Sequence, residues 1–479
     1  MSDQRLPARA ADFSEWYNQL VLRADLADYA PVRGCMIIKP YGWALWEHMQ
    51  AGLDRRFKAT GHVNAAFPML IPQSFIAREA SHIEGFAPEL AVVTHGGGEK
   101  LEEPLVVRPT SETVIGHMYA KWIKSYRDLP LLINQWCSVL RWELRTKLFL
   151  RTAEFWWQEG HTAHATQAEA QAEARRMLDV YADFMTTEAA VPVISGRKSE
   201  AERFPGAEVS LSIEAMMGDR RALQAGTSHD FGQKFARAFE IRYLDRNNTL
   251  QHCWTTSWGF STRGIGALIM VHGDDQGLIL PPRLAPFQAV LIPIYRNEAE
   301  RGPVLETVER LQRDLVAAGL RLKVDDREDA TPGFKFNDWE LRGVPLRIEV
   351  GPKDVEKGSV ALARRDRPGK AGKSFVPQAG LAQAVTATLG DIQQALYDRA
   401  LAFQQANTFE PADYAEFKQV VEHGWAYAWW CGDRACEAAI KDDTRATSRC
   451  IPFDQPGGEG ACIRCGGTAK EKAYFARAY

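Results

Sequence analysis

Two arginines, Arg141 and Arg263, stand beside strand-like sequence among polar or small residues, and guanidinium groups so placed suit binding of carboxylate or phosphate. Arg141 opens the triplet Arg141-Trp142-Glu143 ahead of a basic hairpin loop. Arg263 closes a strand and is followed by Gly264 and Gly266, where backbone and ligand can approach closely. Taken alone, either reads as a surface or ion-paired arginine; the setting is what points to an anion site. A second chemistry lies in the tail, where Cys431, Cys436, Cys450, Cys462 and Cys465 crowd the last 49 positions. Cys431-x4-Cys436 and Cys462-x2-Cys465 are spaced so that two short loops supply four thiolates to a tetrahedral ion, and zinc is the natural candidate. Reduced, unpaired thiols are the alternative, and Cys450 is left as a spare. Gly96, Gly97 and Gly98 after His95 could cradle phosphate, but no strand-to-helix frame surrounds them, which favours a flexible loop. The net charge is only -3, yet nine Lys or Arg against four Asp or Glu lie between Arg342 and Lys373. That stretch is either a solvated basic face or a nucleic-acid footprint.

The elements that must position these groups follow from periodicity. With 479 residues the chain is too long for one core and divides into about three domains. A composition of 46% hydrophobic and 25% charged residues lets those cores form without disulfides. Trp43, Trp46, Met49, Leu53 and Phe57 have helical spacing, and Gly61 suits the stop. VNAAFPMLIP reads as a strand ending at Pro72, LVVRP as another, and TVIGHMYAKWI as a helix. LLINQWCSVLRWE and TAEFWWQEGHTA form a hairpin around LRTKLFLR. Thr166, with Glu169 three residues on, caps a long helix running to about Ala190. Strands are expected near Glu208 to Glu214 and Ala236 to Tyr243, with QAGTSHDFG as the loop between them. QHCWTTSWGFSTRGIGALIMVHG reads as a strand entering an apolar helix. Prolines at 281, 282 and 286 mark a boundary, beyond which strand, helix and strand from Phe287 to Asp326 form a β-α-β unit. A long helix from about Leu381 to Ala406 precedes the Cys-rich tail.

The helix and strand ending at Pro72, the Arg141 hairpin and the strand-helix at Arg263 resemble, in order, the three motifs of class II aminoacyl-tRNA synthetases. RPTSE, RTAEFWWQEGHT, GTSH, SWGFSTR and HGDDQGLILPPR are similar to the prolyl-tRNA synthetases of archaeal and eukaryotic type, and the resemblance spans essentially the whole chain. It implies a multidomain α/β and α+β fold. Residues 1–282 would form an antiparallel-sheet catalytic core, 286–395 an α/β anticodon-binding domain, and 396–479 a small Cys-rich, zinc-binding-like domain. It further implies ATP-dependent joining of L-proline to tRNA(Pro), through a prolyl-adenylate and then transfer to the terminal adenosine. No covalent enzyme intermediate is needed, so catalysis rests on positioning and on cationic stabilisation of the phosphate.

By that resemblance Arg141 contacts the α-phosphate and the proline carboxylate, Arg263 the γ-phosphate, and Glu143 either ATP or Mg2+, unless it is simply a hairpin carboxylate. Thr152 and Ala153 lie near adenine, and Gln224, Thr227 and Ser261 belong to the nucleotide site. Thr110, Glu112, Trp157, Glu159, His161 and His229 form the proline pocket, with Phe204 on a loop that covers it. Without the motifs, His161 and His229 would read as satisfied structural histidines. Phe336, Glu340, Arg347, Lys353 and Asp354 match anticodon-reading positions, although Glu340 and Arg347 also suit an intradomain salt bridge. Cys431, Cys436, Cys462 and Cys465 would hold Zn2+, and the terminal carboxylate of Tyr479 would reach the active site. One helix and a few strands account for the segment between Arg141 and Gly259, so no cis-editing domain is expected. A homodimer is expected, with the apolar residues of the Trp43 to Phe57 helix available to bury. No run approaches the roughly 20 apolar residues of a bilayer span, and the polar start lacks a secretion signal, so a cytoplasmic chain is expected. The other readings are a class II synthetase for threonine, serine, glycine or histidine, or a non-catalytic tRNA-binding relative.

Overall fold

The computed structural model describes residues 6–77, 90–143 and 145–479; Leu144 of the hairpin loop lies outside the described residues. Its dominant element is an eleven-stranded sheet. The site strands sit near one end of it, in the spatial order Ile194–Arg197, Val209–Met216, Ala222–Gly232, Trp254–Ser261, Glu154–His164 and Leu131–Leu140, all antiparallel to their neighbours. Two helices cover one face. Helix Pro40–Ala59 starts with proline, whose missing N–H is no loss at that position. It buries Trp46, Met49, Leu53 and Phe57 at the spacing seen in the sequence. Helix Gln167–Thr187 begins at Thr166, which accepts from the Glu169 N–H while Glu169 reaches back to the Thr166 N–H, the expected capping box. Tyr181 and Phe184 of this helix pack on Trp258 and Phe260 of the sheet.

Three sequence expectations are corrected by the packing. QAGTSHDFG is no loop but the strand Ala222–Gly232 in mid-sheet. Its Ser, Thr, His and Asp side chains obscured the strand because one of its faces lines a polar cleft instead of a core. Ala236 to Tyr243 is a helix, Lys234–Ala238, followed by the strand Arg242–Leu244, because Phe235 and Phe239 lie four apart and pack side by side on one core. VNAAFPMLIP splits at Pro68. Val63–Asn64 edges the large sheet parallel to Leu131–Leu140, while Leu70–Pro72 joins a separate three-stranded sheet. Gly97 and Gly98, both at positive φ, form the exposed turn of a hairpin between Ala91–Gly96 and Glu99–Val107, with no helix after it to complete a phosphate cradle.

Beyond the prolines a five-stranded mixed sheet, with Ala289–Pro293 at its parallel centre, is flanked by helices including Glu298–Ala317, Pro332–Leu341 and Leu381–Ala406. Leu381, Val385, Leu389, Ile392 and Leu396 of the last helix bury against its core. Arg365 joins this unit to the first through two hydrogen bonds to Asp274, at 2.9 and 2.6 Å. The tail returns to the large sheet: Thr447–Pro452 pairs with Ile194–Arg197 on one side and Glu471–Ala476 on the other.

Gly160 sits between two site residues, and a Cβ there would lie 2.0 Å from Cζ2 of the buried Trp258. Gly160→Ala is expected to cost about 1–3 kcal/mol, read as a lower thermal midpoint.

Candidate active site

Strand alternation builds the floor. Trp157, Glu159 and His161 are two apart on one strand. Across the ladder they pair with Ser261, Gly259 and Ser257, and the last two pair in turn with Thr227 and His229. Side chains at period two share a face, so five of these polar groups open onto one cleft. That cleft has a volume of about 360 Å3, and Thr110, Glu112, Arg141 and Arg263 reach it from neighbouring elements.

One half is organised by buried carboxylates. Glu159, 2% exposed, accepts from the Ser111 N–H at 3.1 Å, from Ser111 Oγ, from Gln135 Nε2 at 2.9 Å, and pairs with His161 Nε2 at 3.1 Å. Glu112 accepts from Thr110 Oγ1 and, at 3.4 Å, from Ser257 Oγ. Burial disfavours charge on Glu159, yet the His161 hydrogen bond and charge hold its pKa below the ordinary carboxylate value. For His161 burial likewise opposes charge, but Glu159 and Glu112 carry its pKa above the ordinary imidazole value. The ring of Phe204 stacks on His229 at 4.7 Å, and His229 Nδ1 is 2.9 Å from Ser210 Oγ. Trp157 supplies the apolar wall.

The other half is cationic. Arg141 is aimed by a hydrogen bond from Nε to the Pro109 carbonyl at 3.1 Å, and its guanidinium lies 5.4 Å from the ring centres of both Phe155 and Trp157. Arg263 donates from Nε to the Leu150 carbonyl at 3.1 Å. Burial first, then repulsion from Arg141 and Arg151, lowers its pKa to about 10, so it stays charged at neutral pH and gains from an incoming anion. Gln224, Thr227 and Ser261 line the same cleft. Glu143 forms an ion pair with Arg151, Nε at 2.5 Å, and accepts a hydrogen bond from the Arg145 N–H at 2.9 Å. Thr152 Oγ1 donates to the Glu154 carbonyl at 2.7 Å. Ala153 donates its N–H to Gly34 and accepts from the Arg141 N–H, each at 2.8 Å. Glu143, Thr152 and Ala153 thus belong to the hairpin base and not to the cleft lining, and His161 stands behind Glu159.

Sequence reasoning passed over Ser111, Gln135, Ser257, Phe155 and Lys198. Gln135 carried a signal: with Asn134 and Ser138 it is one of three uncharged polar residues in a strand rich in apolar ones, and it stands in register opposite Glu159.

Two further clusters form away from the cleft. Arg347 stacks on Phe336, 4.0 Å from the ring centre, and bonds Glu340 at 2.8 Å and Glu349 at 3.1 Å, so the salt-bridge reading of Glu340 and Arg347 describes real contacts. Glu340 and Arg347 line a second cavity of about 300 Å3 with Arg364, Arg365, Lys370 and Lys373. Lys353 and Asp354 lie apart from that lining on the short helix Pro352–Lys357, where Asp354 accepts from the Gly351 N–H at 2.9 Å. The sulfurs of Cys431, Cys436, Cys462 and Cys465 all lie within 4.8 Å of one another, whereas buried Cys450 is not among them. Such a convergence of four thiols fits a tetrahedral zinc site. Main-chain N–H groups help bring the Cys462 thiol to about 7 against the opposing effect of burial. Tyr479 donates its N–H to Ala222 at 3.1 Å and its hydroxyl to Asp219 at 2.5 Å, with its ring between Lys147 of the hairpin loop and Arg221.

An antiparallel sheet bearing an arginine on a hairpin and another at a strand-helix junction defines a class II aminoacyl-tRNA synthetase core. Residues 95–272 match the profile described as the tRNA synthetase class II core domain (G, H, P, S and T), residues 288–375 an anticodon binding domain, and residues 414–479 the prolyl-tRNA synthetase C-terminal profile. Similar proteins include a proline--tRNA ligase of Chloroflexus aurantiacus, 60% identical over the full length of both chains. The chloroplastic/mitochondrial proline--tRNA ligase of Arabidopsis thaliana is 52% identical over all of this chain and 89% of its own. A crystal structure of prolyl-tRNA synthetase from Cryptosporidium parvum, complexed with halofuginone and AMPPNP, superposes with a TM-score of 0.95 at 38% identity, covering 99% of each chain. The chain belongs to the prolyl-tRNA synthetase family.

The Glu159–His161 pair sets a pH window. A raised histidine pKa gives stability that is fully present below the unfolded value and is lost as pH rises through the folded one. A lowered carboxylate pKa gives stability present above its unfolded value and lost as pH falls through the folded one. Glu159→Gln is therefore expected to lower the thermal midpoint more at pH 6 than at pH 9, as measured by calorimetry against wild type.

Proposed function

We propose that this chain attaches L-proline to tRNA(Pro) in two steps: formation of prolyl-adenylate from proline and ATP with release of pyrophosphate, then transfer to the 3′-terminal adenosine. The observation that carries this reading is one cleft in which a carboxylate-aromatic pocket adjoins two arginines. The alternatives, other class II synthetases or a non-catalytic tRNA binder, are not favoured by relatives of this identity.

Glu112 is assigned to the charged ring nitrogen of proline, with Thr110 beside it, because Glu159 is already engaged by Ser111, Gln135 and His161. Trp157 and His229 wall the ring, and the loop bearing Phe204 covers it. Arg141 holds the proline carboxylate against the α-phosphate. A carboxylate oxygen attacks phosphorus, and pyrophosphate leaves toward Arg263. Both guanidiniums stay protonated throughout, so they stabilise the phosphate charge without a proton moving. Gln224, Thr227 and Ser261 position the nucleotide from the cleft lining, and Thr152 and Ala153 do so from the hairpin base, where the Ala153 carbonyl accepts from the Arg141 N–H. Mg2+, held with the help of Glu143, would offset the polyphosphate charge. The ribose hydroxyl of tRNA then attacks the prolyl carbonyl, and AMP leaves.

Phe336, Glu340, Arg347, Lys353 and Asp354 read the anticodon, whose guanines offer acceptors and donors that a cation and a carboxylate recognise together. The four tail thiols hold structural Zn2+. The Tyr479 carboxylate acts at the active site, a role supported by the position of its ring beside the hairpin loop. We assign residues 1–282, 286–395 and 396–479 to catalytic, anticodon-binding and zinc-binding-like domains. The chain is a cytoplasmic homodimer; no described helix is long and apolar enough to cross a membrane. The helix at Trp43 to Phe57 does not supply the dimer face, because Trp46, Met49, Leu53 and Phe57 fill its own core. Exposed Val63, Met69, Leu70, Val92 and Trp122, around the sheet edge and the three-stranded sheet, serve instead.

Proline-dependent pyrophosphate exchange tests the reading, and exchange with threonine but not proline would overturn it. Arg141→Ala is expected to lower kcat on the order of 10²–10³-fold. Cys465→Ser is expected to reduce bound zinc from one per chain, measured by elemental analysis, and to lower the thermal midpoint.

A further inference from the structure

Glu214 is fully buried in the strand Val209–Met216, and a carboxylate there must be compensated. Two cations do so, one 16 residues away in sequence and the other 235. Lys198 donates from Nζ at 2.7 Å to one oxygen. Arg449, from the tail, donates to the other from Nη2 at 3.0 Å and Nε at 3.2 Å. Lys198 also donates to the Arg449 carbonyl at 2.8 Å, and Ser212 Oγ donates to Glu214 at 3.1 Å, so the group is closed on itself. It also abuts the cleft. Lys198 is part of the lining, and Glu214 pairs in register with Gln224, next to the bulge between Ile213 and Glu214. The strand that carries Arg449 is paired, through Ile451 with Arg197 and Pro452 with Gly196, to the strand Ile194–Arg197 that ends one residue before Lys198, so a shift of the tail strand is transmitted to this ladder. The charges of Glu214 and Arg449 are both felt at Arg263, the first supporting its protonated form and the second opposing it.

We propose that Arg449 is a positioning residue through which the Cys-rich tail sets the nucleotide half of the active site, acting on Gln224 and Arg263 by way of Glu214. This rests on the functional reading above, in which Gln224 and Arg263 meet ATP. The carboxylate of the proline half is anchored elsewhere, by Ser111, Gln135 and His161 around Glu159, and the Glu214 group reaches its His229 wall only through the main chain, where the Lys198 N–H donates to the Ser210 carbonyl at 2.8 Å and Ser210 Oγ lies 2.9 Å from His229 Nδ1. Loss of Arg449 therefore acts on the two substrates unequally. A purely structural contribution would reduce the fraction of active enzyme and leave both KM values in place.

The test uses the full-length chain in proline-dependent pyrophosphate exchange, with active-site titration to count competent molecules. Arg449→Met is expected to raise KM for ATP at least fivefold and KM for proline less than twofold. Arg449→Lys, which keeps the cation, is expected to restore KM for ATP to within twofold of wild type. Glu214→Gln removes the charge and keeps the shape, and provides the same ATP-specific shift should the methionine variant fold poorly. An unchanged KM for ATP in Arg449→Met or Glu214→Gln, or equal increases for both substrates, would overturn the inference while leaving the functional reading intact. A wild-type chain that exchanges no pyrophosphate with proline would overturn both.

Discussion

A carboxylate kept ionised in a protein interior needs hydrogen-bond donors from several directions, and Glu159 obtains them from three separate elements. Ser111 comes from the start of helix Glu112–Trp122, Gln135 from the adjacent strand, and His161 from the same strand two residues on. Meeting that demand fixes the helix against the sheet. Once the helix is fixed, Thr110 and Glu112 can stand only where they do, on the cleft wall shared with Trp157. The pocket geometry is in this sense a consequence of satisfying one buried charge.

The same logic recurs with opposite sign in the other half of the cleft. Arg141 and Arg263 each donate from Nε to a main-chain carbonyl, Pro109 and Leu150 respectively, which orients both guanidinium groups at the cleft. Burial first, and then repulsion from Arg141 and Arg151, disfavours the charge on Arg263, and an anion beside it favours that charge. The division of the cleft into a hydrogen-bonded anionic side and a cationic side matches a substrate pair in which one member carries an ammonium and the other a chain of phosphates.

The remote parts of the chain are not appended to this core. The tail strand Thr447–Pro452 extends the large sheet, and Arg449 and Glu437 enter hydrogen bonds with Glu214 and Ser199 respectively, across more than 230 residues of sequence. The α/β unit is tied down through Arg365 and Asp274, and through Arg342 and Asp25 at 2.6 Å. The α/β unit and the tail are thereby held in a fixed relation to the cleft.

The sequence by itself determined whatever depends on local spacing. The capping box at Thr166, the helical face from Trp46 to Phe57, the hairpin bearing Arg141 and the two cysteine pairs were all legible, because each is set by residues within a few positions of one another or by a short repeat. Tertiary structure alone decided the rest. It made a central strand of QAGTSHDFG, whose polar residues face a cleft that exists only once the neighbouring strands are paired. It turned the apolar face of the first long helix inward, and it recruited Ser111, Gln135 and Arg449 to carboxylates 48, 24 and 235 residues away. Hydrogen-bond partners of buried charges are chosen by proximity in space, and no local pattern in a single chain encodes that proximity.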